Sequence, residues 1–228
     1  MRLKLAVFDL DGTLKEARDP YVYLHQRLGT WAQSQAFFGD GLAGRIPYEE
    51  WLRLDAALWK GLPRARIEAL FRQNPYLPGA RETVQALRAR GVRIAILSTG
   101  LLIHAAQVQA DLGVEYVAAN EILFEDGRVS GVVRAHIPEG GKGAVMDDLL
   151  ARTGVRPAEC LAVGDGESDV ALFRRAGVSV AVAPRSERVR AAADIVLPQP
   201  DLWPLLDRLW AFDPTLLGDH LAFFARFS

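Results

Sequence analysis

Short runs of consecutive apolar residues recur along this chain, and between them lie longer stretches where apolar residues return every three or four positions. The runs are Leu3–Phe8, Val92–Leu97, Tyr116–Ala119, Cys160–Val163, Ser179–Val182 and Ile195–Leu197. A strand that is apolar on successive residues is buried on both faces, as the strands of parallel sheets are. The intervening stretches, Ala80–Arg90, Leu102–Leu112, Lys142–Thr153, Ser168–Ala176 and Ser186–Ala192, read as amphipathic helices. Gly91, Gly113, Gly154 and Gly177 each close one of them before the next strand begins. The pattern predicts an α/β fold, a mostly parallel sheet with helices on both faces.

Two segments depart from the alternation. Between Lys15 and Pro78 there is no strand pattern, only the helical stretches Tyr21–Phe37, Pro47–Trp59 and Arg64–Gln73, separated by Gly and Pro. This predicts a helical cap over residues 15–78, inserted after the first strand into a core made of residues 1–14 and 79–198. Trp31, Trp51 and Trp59 are expected to form the small core of that cap. Asn120–Arg134 alternates apolar and polar residues around Asp126-Gly127, which predicts a β-hairpin. Residues 199–228, carrying Trp203, Trp210, Phe212, Phe223, Phe224 and Phe227, are expected to be a helical, aromatic tail packed on the core.

Composition narrows the function classes. Half of the 228 residues are hydrophobic and the net charge is −1, so the chain as a whole is not disordered. A near-neutral balance removes the electrostatic reason for binding nucleic acid or an anionic membrane. No apolar run approaches the ~20 residues of a membrane span. The single cysteine, Cys160, forbids an intrachain disulfide. With no leader sequence visible, the expectation is a cytoplasmic protein, monomer or homodimer, with a small-molecule partner. His25, His104, His136 and His220 show no metal-ligand spacing and read as structural or surface groups.

The residues that carry chemistry sit at strand ends. Asp9-Leu10-Asp11-Gly12-Thr13 leaves the first buried strand, which puts two carboxylates at the carboxyl edge of the sheet, where open α/β sheets bind ligands. Ser98-Thr99-Gly100 follows the second strand and precedes a helix, offering a hydroxyl and backbone amides to an anion. Lys142, between glycines in Gly140-Gly141-Lys142-Gly143, opens another helix. Gly164-Asp165-Gly166-Glu167-Ser168-Asp169 supplies carboxylates to a third strand end, suited to a hard cation. Each alone reads as a turn or helix cap; four in this order do not.

The ordered set resembles the phosphatases of the haloacid dehalogenase superfamily, and within it phosphoserine phosphatases. The resemblance implies a Rossmann-like core with the cap inserted after the first strand. It makes Asp9 the nucleophile, forming an aspartyl-phosphate, and Asp11 the general acid and base. It implies Mg²⁺, held by the Asp9 carboxylate, the Asp11 carbonyl and Asp165, with Asp169 in support. Lys142 would neutralise Asp9 and a phosphate oxygen, while Ser98, Thr99, Gly100 and Gly12 would surround the phosphate. Dehalogenases lack the second acid, so Asp11 favours a phosphomonoester over a halide. Arg53, ahead of Lys60-Gly61-Leu62-Pro63, matches an arginine that binds the substrate carboxylate. Arg18 stands where a glutamate is usual and would suit a substrate with extra negative charge. The rival readings are a phosphotransferase or phosphomutase on the same scaffold, and a catalytically idle regulator.

Overall fold

The computed structural model describes residues 2–218. Its first strand, β1 (Leu5–Phe8), is buried along its whole length. Ala6 and Phe8 face one apolar layer, with Val84, Leu87 and Ile96, while Leu5 and Val7 face the other, with Met146, Val170 and Phe173. Burial on both faces is what the uninterrupted apolar run requires. The other strands are β2 (Arg93–Leu101), β3 (Tyr116–Glu125), β4 (Arg128–Arg134), β5 (Cys160–Gly164), β6 (Val178–Val182) and β7 (Ile195–Leu197). They form a seven-stranded sheet in the order β4-β3-β2-β1-β5-β6-β7. Only the β3–β4 pair is antiparallel.

Ten helices complete the described residues: α1 (Pro20–Leu28), α2 (Trp31–Leu42), α3 (Tyr48–Leu58), α4 (Arg64–Arg72), α5 (Ala80–Ala89), α6 (Leu102–Leu112), α7 (Lys142–Thr153), α8 (Val170–Phe173), α9 (Glu187–Ala192) and α10 (Leu205–Phe212). None is long and apolar enough to cross a membrane. The single helix expected over Tyr21–Phe37 is two, because Gly29 adopts φ 74° and ends α1. The stretch Ser168–Ala176 yields only the short α8 after a 3₁₀ turn at Glu167–Asp169.

β2 runs further than its apolar core, through Ser98-Thr99-Gly100 to Leu101, and α6 follows at once. These three residues therefore do not form a loop at a helix start. Between Leu97 and Leu101 the β2–β3 register slips: β2 advances four residues while β3 advances from Ala118 to Asn120. The bulge takes this segment out of the ladder. The hairpin is present, its first strand being the far half of β3. Asp126 and Gly127 turn with φ 49° and 73°, the backbone a two-residue hairpin demands.

The helices α1–α4 lie between β1 and α5 in sequence. The chain leaves and re-enters the sheet layer along one ribbon, where Leu77 N–H donates to Leu14 O at 2.9 Å and Glu16 N–H donates to Pro75 O at 3.0 Å. A second tie joins the α3–α4 loop to the hairpin. Gly61 N–H donates to Val129 O, Val129 N–H to Leu62 O and Arg64 N–H to Gly127 O, all at 2.8–2.9 Å. A separate apolar cluster, with Leu24, Trp59, Ile67 and Phe71, packs these helices on Leu101, Ile103 and Ile122.

After β7, the residues that pack on the sheet are leucines: Leu202, Leu205, Leu206, Leu209, Leu216 and Leu217 join the main core. Trp203 and Phe212 are 56% and 51% exposed, contrary to the aromatic contact expected. On α10 the leucines occupy the inward stripe and leave Phe212 outside it. Phe223, Phe224, Phe227 and His220 lie outside the described residues.

Candidate active site

Register brings the chemistry together. Phe8 pairs with Ile96 of β2 and Val163 of β5, so the residues just beyond share one edge of the sheet. Asp9 continues the ladder by donating its N–H to Val163 O at 2.8 Å. Lys142, the first residue of α7, is 1% exposed, and its Nζ lies 2.5 Å from Asp9 Oδ1 and 2.7 Å from Asp169 Oδ1. Asp169 Oδ2 accepts from the Asp165 and Gly166 N–H groups at 3.0 and 2.9 Å. Both oxygens of Asp169 are thus engaged in holding Lys142 and the turn that carries Asp165.

The electrostatics follow from this crowding. Burial drives the Asp9 carboxyl well above its ordinary range; Lys142 opposes, and Asp169, Asp165 and Asp11 push further upward. Burial likewise raises Asp165, to about 6, against the pull of the Arg185 guanidinium. Burial alone would lower Lys142, but Asp169 and Asp9 overcome it and hold the ammonium charged. The Lys142 ammonium and the Arg185 guanidinium on Asp165 together do not balance the four buried carboxylates Asp9, Asp11, Asp165 and Asp169. Oxygens of Asp9, Asp165 and Asp169 lie within 4.8 Å of one another, all buried, and an all-oxygen donor set of this kind fits a small hard cation.

Asp11 sits beside them, 6% exposed. Ser98 Oγ donates to its Oδ2 at 3.2 Å and also accepts the Gly100 N–H at 2.9 Å. Glycine is needed at 100, since a Cβ there would collide with Asp11 Oδ2 and Pro20. Gly12, at φ 89°, is needed for the same kind of reason: a side chain would run into the Asp165 carboxylate. Thr99 contributes its carbonyl, which accepts from Asn120 Nδ2 at 2.9 Å and from the Tyr21 and Tyr48 hydroxyls at 3.3 Å each. Burial raises both phenols, Tyr48 to about 12, so they remain donors.

A cavity of about 270 Å³ opens over Asp9, Asp11, Ser98, Thr99, Gly100 and Asp165. Its far wall comes from α1 and α3: Pro20, Tyr21, Tyr48, Trp51, Leu52 and Asp55. On α3 these positions, 48, 51, 52 and 55, are one helical face. Arg53 is on the other face; it is exposed, ion-paired with Glu50 and absent from the cavity lining. The expectation that Arg53 meets the substrate is therefore corrected: spacing from a sequence landmark located the helix but not its face. Arg18 does line the cavity, turned toward the Asp165 side, where its Nη2 donates to Ala183 O at 2.9 Å. Arg185, a residue the sequence did not single out, donates through Nε to Asp165 Oδ2 at 2.9 Å and also bonds the Arg18 carbonyl.

A profile of the haloacid dehalogenase-like hydrolase family matches residues 6–174. The chain belongs to that family. This hydrolase is 28% identical over 204 residues to a phosphoserine phosphatase of Methanocaldococcus jannaschii, covering 89% of this chain and 96% of that one. It is 33% identical over 180 residues to a phosphoserine phosphatase of Idiomarina loihiensis, covering 78% of this chain and 80% of that one. Its fold superposes with a TM-score of 0.79 on a solved phospho-aspartyl intermediate analogue of phosphoserine phosphatase, at 27% identity and covering 91% and 99% of the two chains. The hydrolase is a phosphatase of this family.

Other expectations resolve residue by residue. Trp59 is fully buried and donates to His25 Nδ1 at 3.2 Å, whereas Trp51 faces the cavity. Trp31 packs edge-on against Phe38. Cys160 is buried and its thiol is pushed up to about 12, as expected of an inert core residue. His104, read from sequence as structural, is in direct contact with Asp11. No local signal marks it, because its partner is 93 residues away.

Proposed function

We propose that this hydrolase cleaves a small phosphomonoester in two steps through an aspartyl-phosphate on Asp9. The observation that carries the reading is the contact of Lys142 Nζ with both Asp9 and Asp169, two carboxylates that line the cavity together with Asp165. Asp9 attacks phosphorus with its free carboxylate oxygen, while the other oxygen stays on Lys142. Ser98, its neighbouring amides and Lys142 bind the phosphoryl oxygens, where charge spreads in the transition state. Asp11 gives a proton to the leaving alcohol and then takes one from the water that hydrolyses the acyl phosphate. Mg²⁺ would be held by the Asp9 and Asp165 carboxylates and the Asp11 carbonyl, and would neutralise phosphoryl charge. Asp169 orients Lys142 and the Asp165 turn.

The alcohol portion of the substrate lies against Tyr21, Tyr48, Trp51 and Leu52. That wall offers no cation, and the cavity's guanidinium groups, Arg18 and Arg185, stand on the Asp165 side. Phosphoserine, with a carboxylate to be matched at the α3 wall, is disfavoured relative to phosphomonoesters with an apolar alcohol or a second anionic group near Arg18. The test is a panel of phosphorylated metabolites, including phosphoserine, ranked by kcat/KM with Mg²⁺. Hydrolysis that vanishes in Asp9→Asn is the expected result; a chain inert to the panel and to aryl phosphates refutes the reading. The single buried thiol suits a reducing compartment, so we place the enzyme in the cytoplasm.

A further inference from the structure

His104, the third residue of α6, has no exposed surface. Its Nδ1 lies 3.1 Å from Asp11 Oδ1. Its ring stacks on Phe71 of α4, with centroids 4.4 Å apart and planes 10° from parallel. Its Nε2 is buried with no hydrogen-bond partner among the described residues. The two ring nitrogens therefore differ completely in surroundings: one faces a carboxylate, the other nothing that accepts a proton.

A neutral imidazole has a single N–H. Placed on Nε2, it would be buried without an acceptor, and the bare Nδ1 would face a carboxylate oxygen, lone pair against lone pair. Placed on Nδ1, it makes a hydrogen bond to Asp11. The surroundings thus select the Nδ1–H tautomer, which donates to Oδ1.

From this we infer that His104 is a positioning residue for Asp11, fixing which carboxyl oxygen handles the proton in catalysis. The inference rests on the acid–base role proposed for Asp11. His104 from α6 holds Oδ1, and Ser98 from β2 contacts Oδ2. Held from two elements, the carboxyl group has one orientation. Both oxygens have a donor beside them, but the Ser98 hydroxyl can turn away and leave Oδ2 free, whereas the His104 N–H is fixed on Oδ1, so the acid form carries its proton on Oδ2. That oxygen is the one a Cβ on Gly100 would strike, and Gly100 and Pro20 both line the cavity. As the bond from phosphorus to the ester oxygen breaks, the Oδ2 proton passes to the departing oxygen and the bond's electron pair leaves with it. In the second step Oδ2 takes a proton from the attacking water. His104 keeps its own proton throughout. Phe71, stacked on the ring, connects this alignment to the inserted helix α4.

Two phosphomonoesters of similar size separate this role from a structural one. The p-nitrophenolate of p-nitrophenyl phosphate departs without a proton, whereas the alkoxide of benzyl phosphate needs one. In His104→Phe, which keeps an aromatic ring against Phe71 and removes the donor, kcat/KM for benzyl phosphate falls about tenfold or more. The value for p-nitrophenyl phosphate stays within about twofold. In His104→Asn the amide nitrogen takes the place of Nδ1, and the wild-type ratio between the two substrates returns although the stack is lost. Equal losses on both substrates in His104→Phe, no loss on either, or an unrestored ratio in His104→Asn overturns the inference. If His104→Phe does not fold, the ratio in His104→Asn decides alone. A wild-type enzyme inert to both esters in Mg²⁺ refutes the proposed activity itself, and this assignment with it.

Discussion

Lys142 and Asp169 form an ion pair of 2.7 Å between side chains that are each 1% exposed, and the same ammonium reaches Asp9. Removing one partner from a buried pair costs far more than the pair contributes, because the remaining charge has neither water nor a counter-ion. Lys142→Met should lower unfolding free energy by roughly 3–5 kcal/mol, measured by chemical denaturation in a chelator. Saturating Mg²⁺ should recover part of that loss, since a cation beside Asp9 and Asp165 relieves the same repulsion. Activity should not return.

The pH dependence of the metal-free protein has a defined sign. Burial raises Asp165 from 3.8 to about 6, with Arg185 opposing. The folded state therefore binds this proton more tightly than the unfolded state does, and stability falls as pH rises through that window. Asp9, raised for the same reason, acts in the same direction. Thermal unfolding in a chelator should show a decline between about pH 4 and pH 6 that is smaller in Asp165→Asn. Mg²⁺ should remove the decline, and its apparent affinity should weaken below about pH 6 as protons compete for the carboxylate. A metal-free protein whose stability climbs steadily through that window contradicts the argument.

Tyr48 tests the tie between α3 and the phosphate-binding strand. Its hydroxyl donates to Thr99 O and accepts from Asn120 Nδ2 at 2.9 Å. Tyr48→Phe should raise KM about fivefold, the equivalent of one hydrogen bond of about 1 kcal/mol. The change in kcat should be smaller, because Tyr21 and Asn120 still hold the carbonyl.

Two arginines give opposite expectations. Arg53 is exposed and, among the described residues, paired with Glu50 alone, so Arg53→Ala should leave kcat and KM within about twofold for every accepted substrate. Arg18 lines the cavity, so Arg18→Ala should raise KM for substrates with a second anionic group. A KM unchanged across the whole panel counts against a substrate role for Arg18.

The pair also shows what sequence could and could not supply. The parallel sheet was legible because β1 and β5 are apolar at every position, a pattern that only double-sided burial explains. The hairpin was legible from Asp126-Gly127, whose left-handed backbone few other dipeptides adopt. Asp9, Asp11 and Asp165 were legible because each follows a buried strand and Lys142 because it opens a helix, while Ser98 was legible as the end of an apolar run although β2 continues through it to Leu101. The cavity wall was not. It depends on which face α3 presents, and Arg53 and Asp55, two positions apart, fall on opposite sides. His104 and Arg185 were harder still, since each acquires meaning from a carboxylate contributed by a distant element.

The backbone pairing of the α3–α4 loop with the hairpin sets a toll on every turnover that requires the inserted helices to swing away. A rotation about the ribbon at Leu14 and Leu77 must either carry the tip of β3–β4 along or rupture the bonds from Gly61, Val129 and Arg64. If they rupture, these three amides become a clock for substrate admission. Their deuterium uptake would follow a single rate, slowed together by an occupied site, while amides in the centre of β1 stay dark.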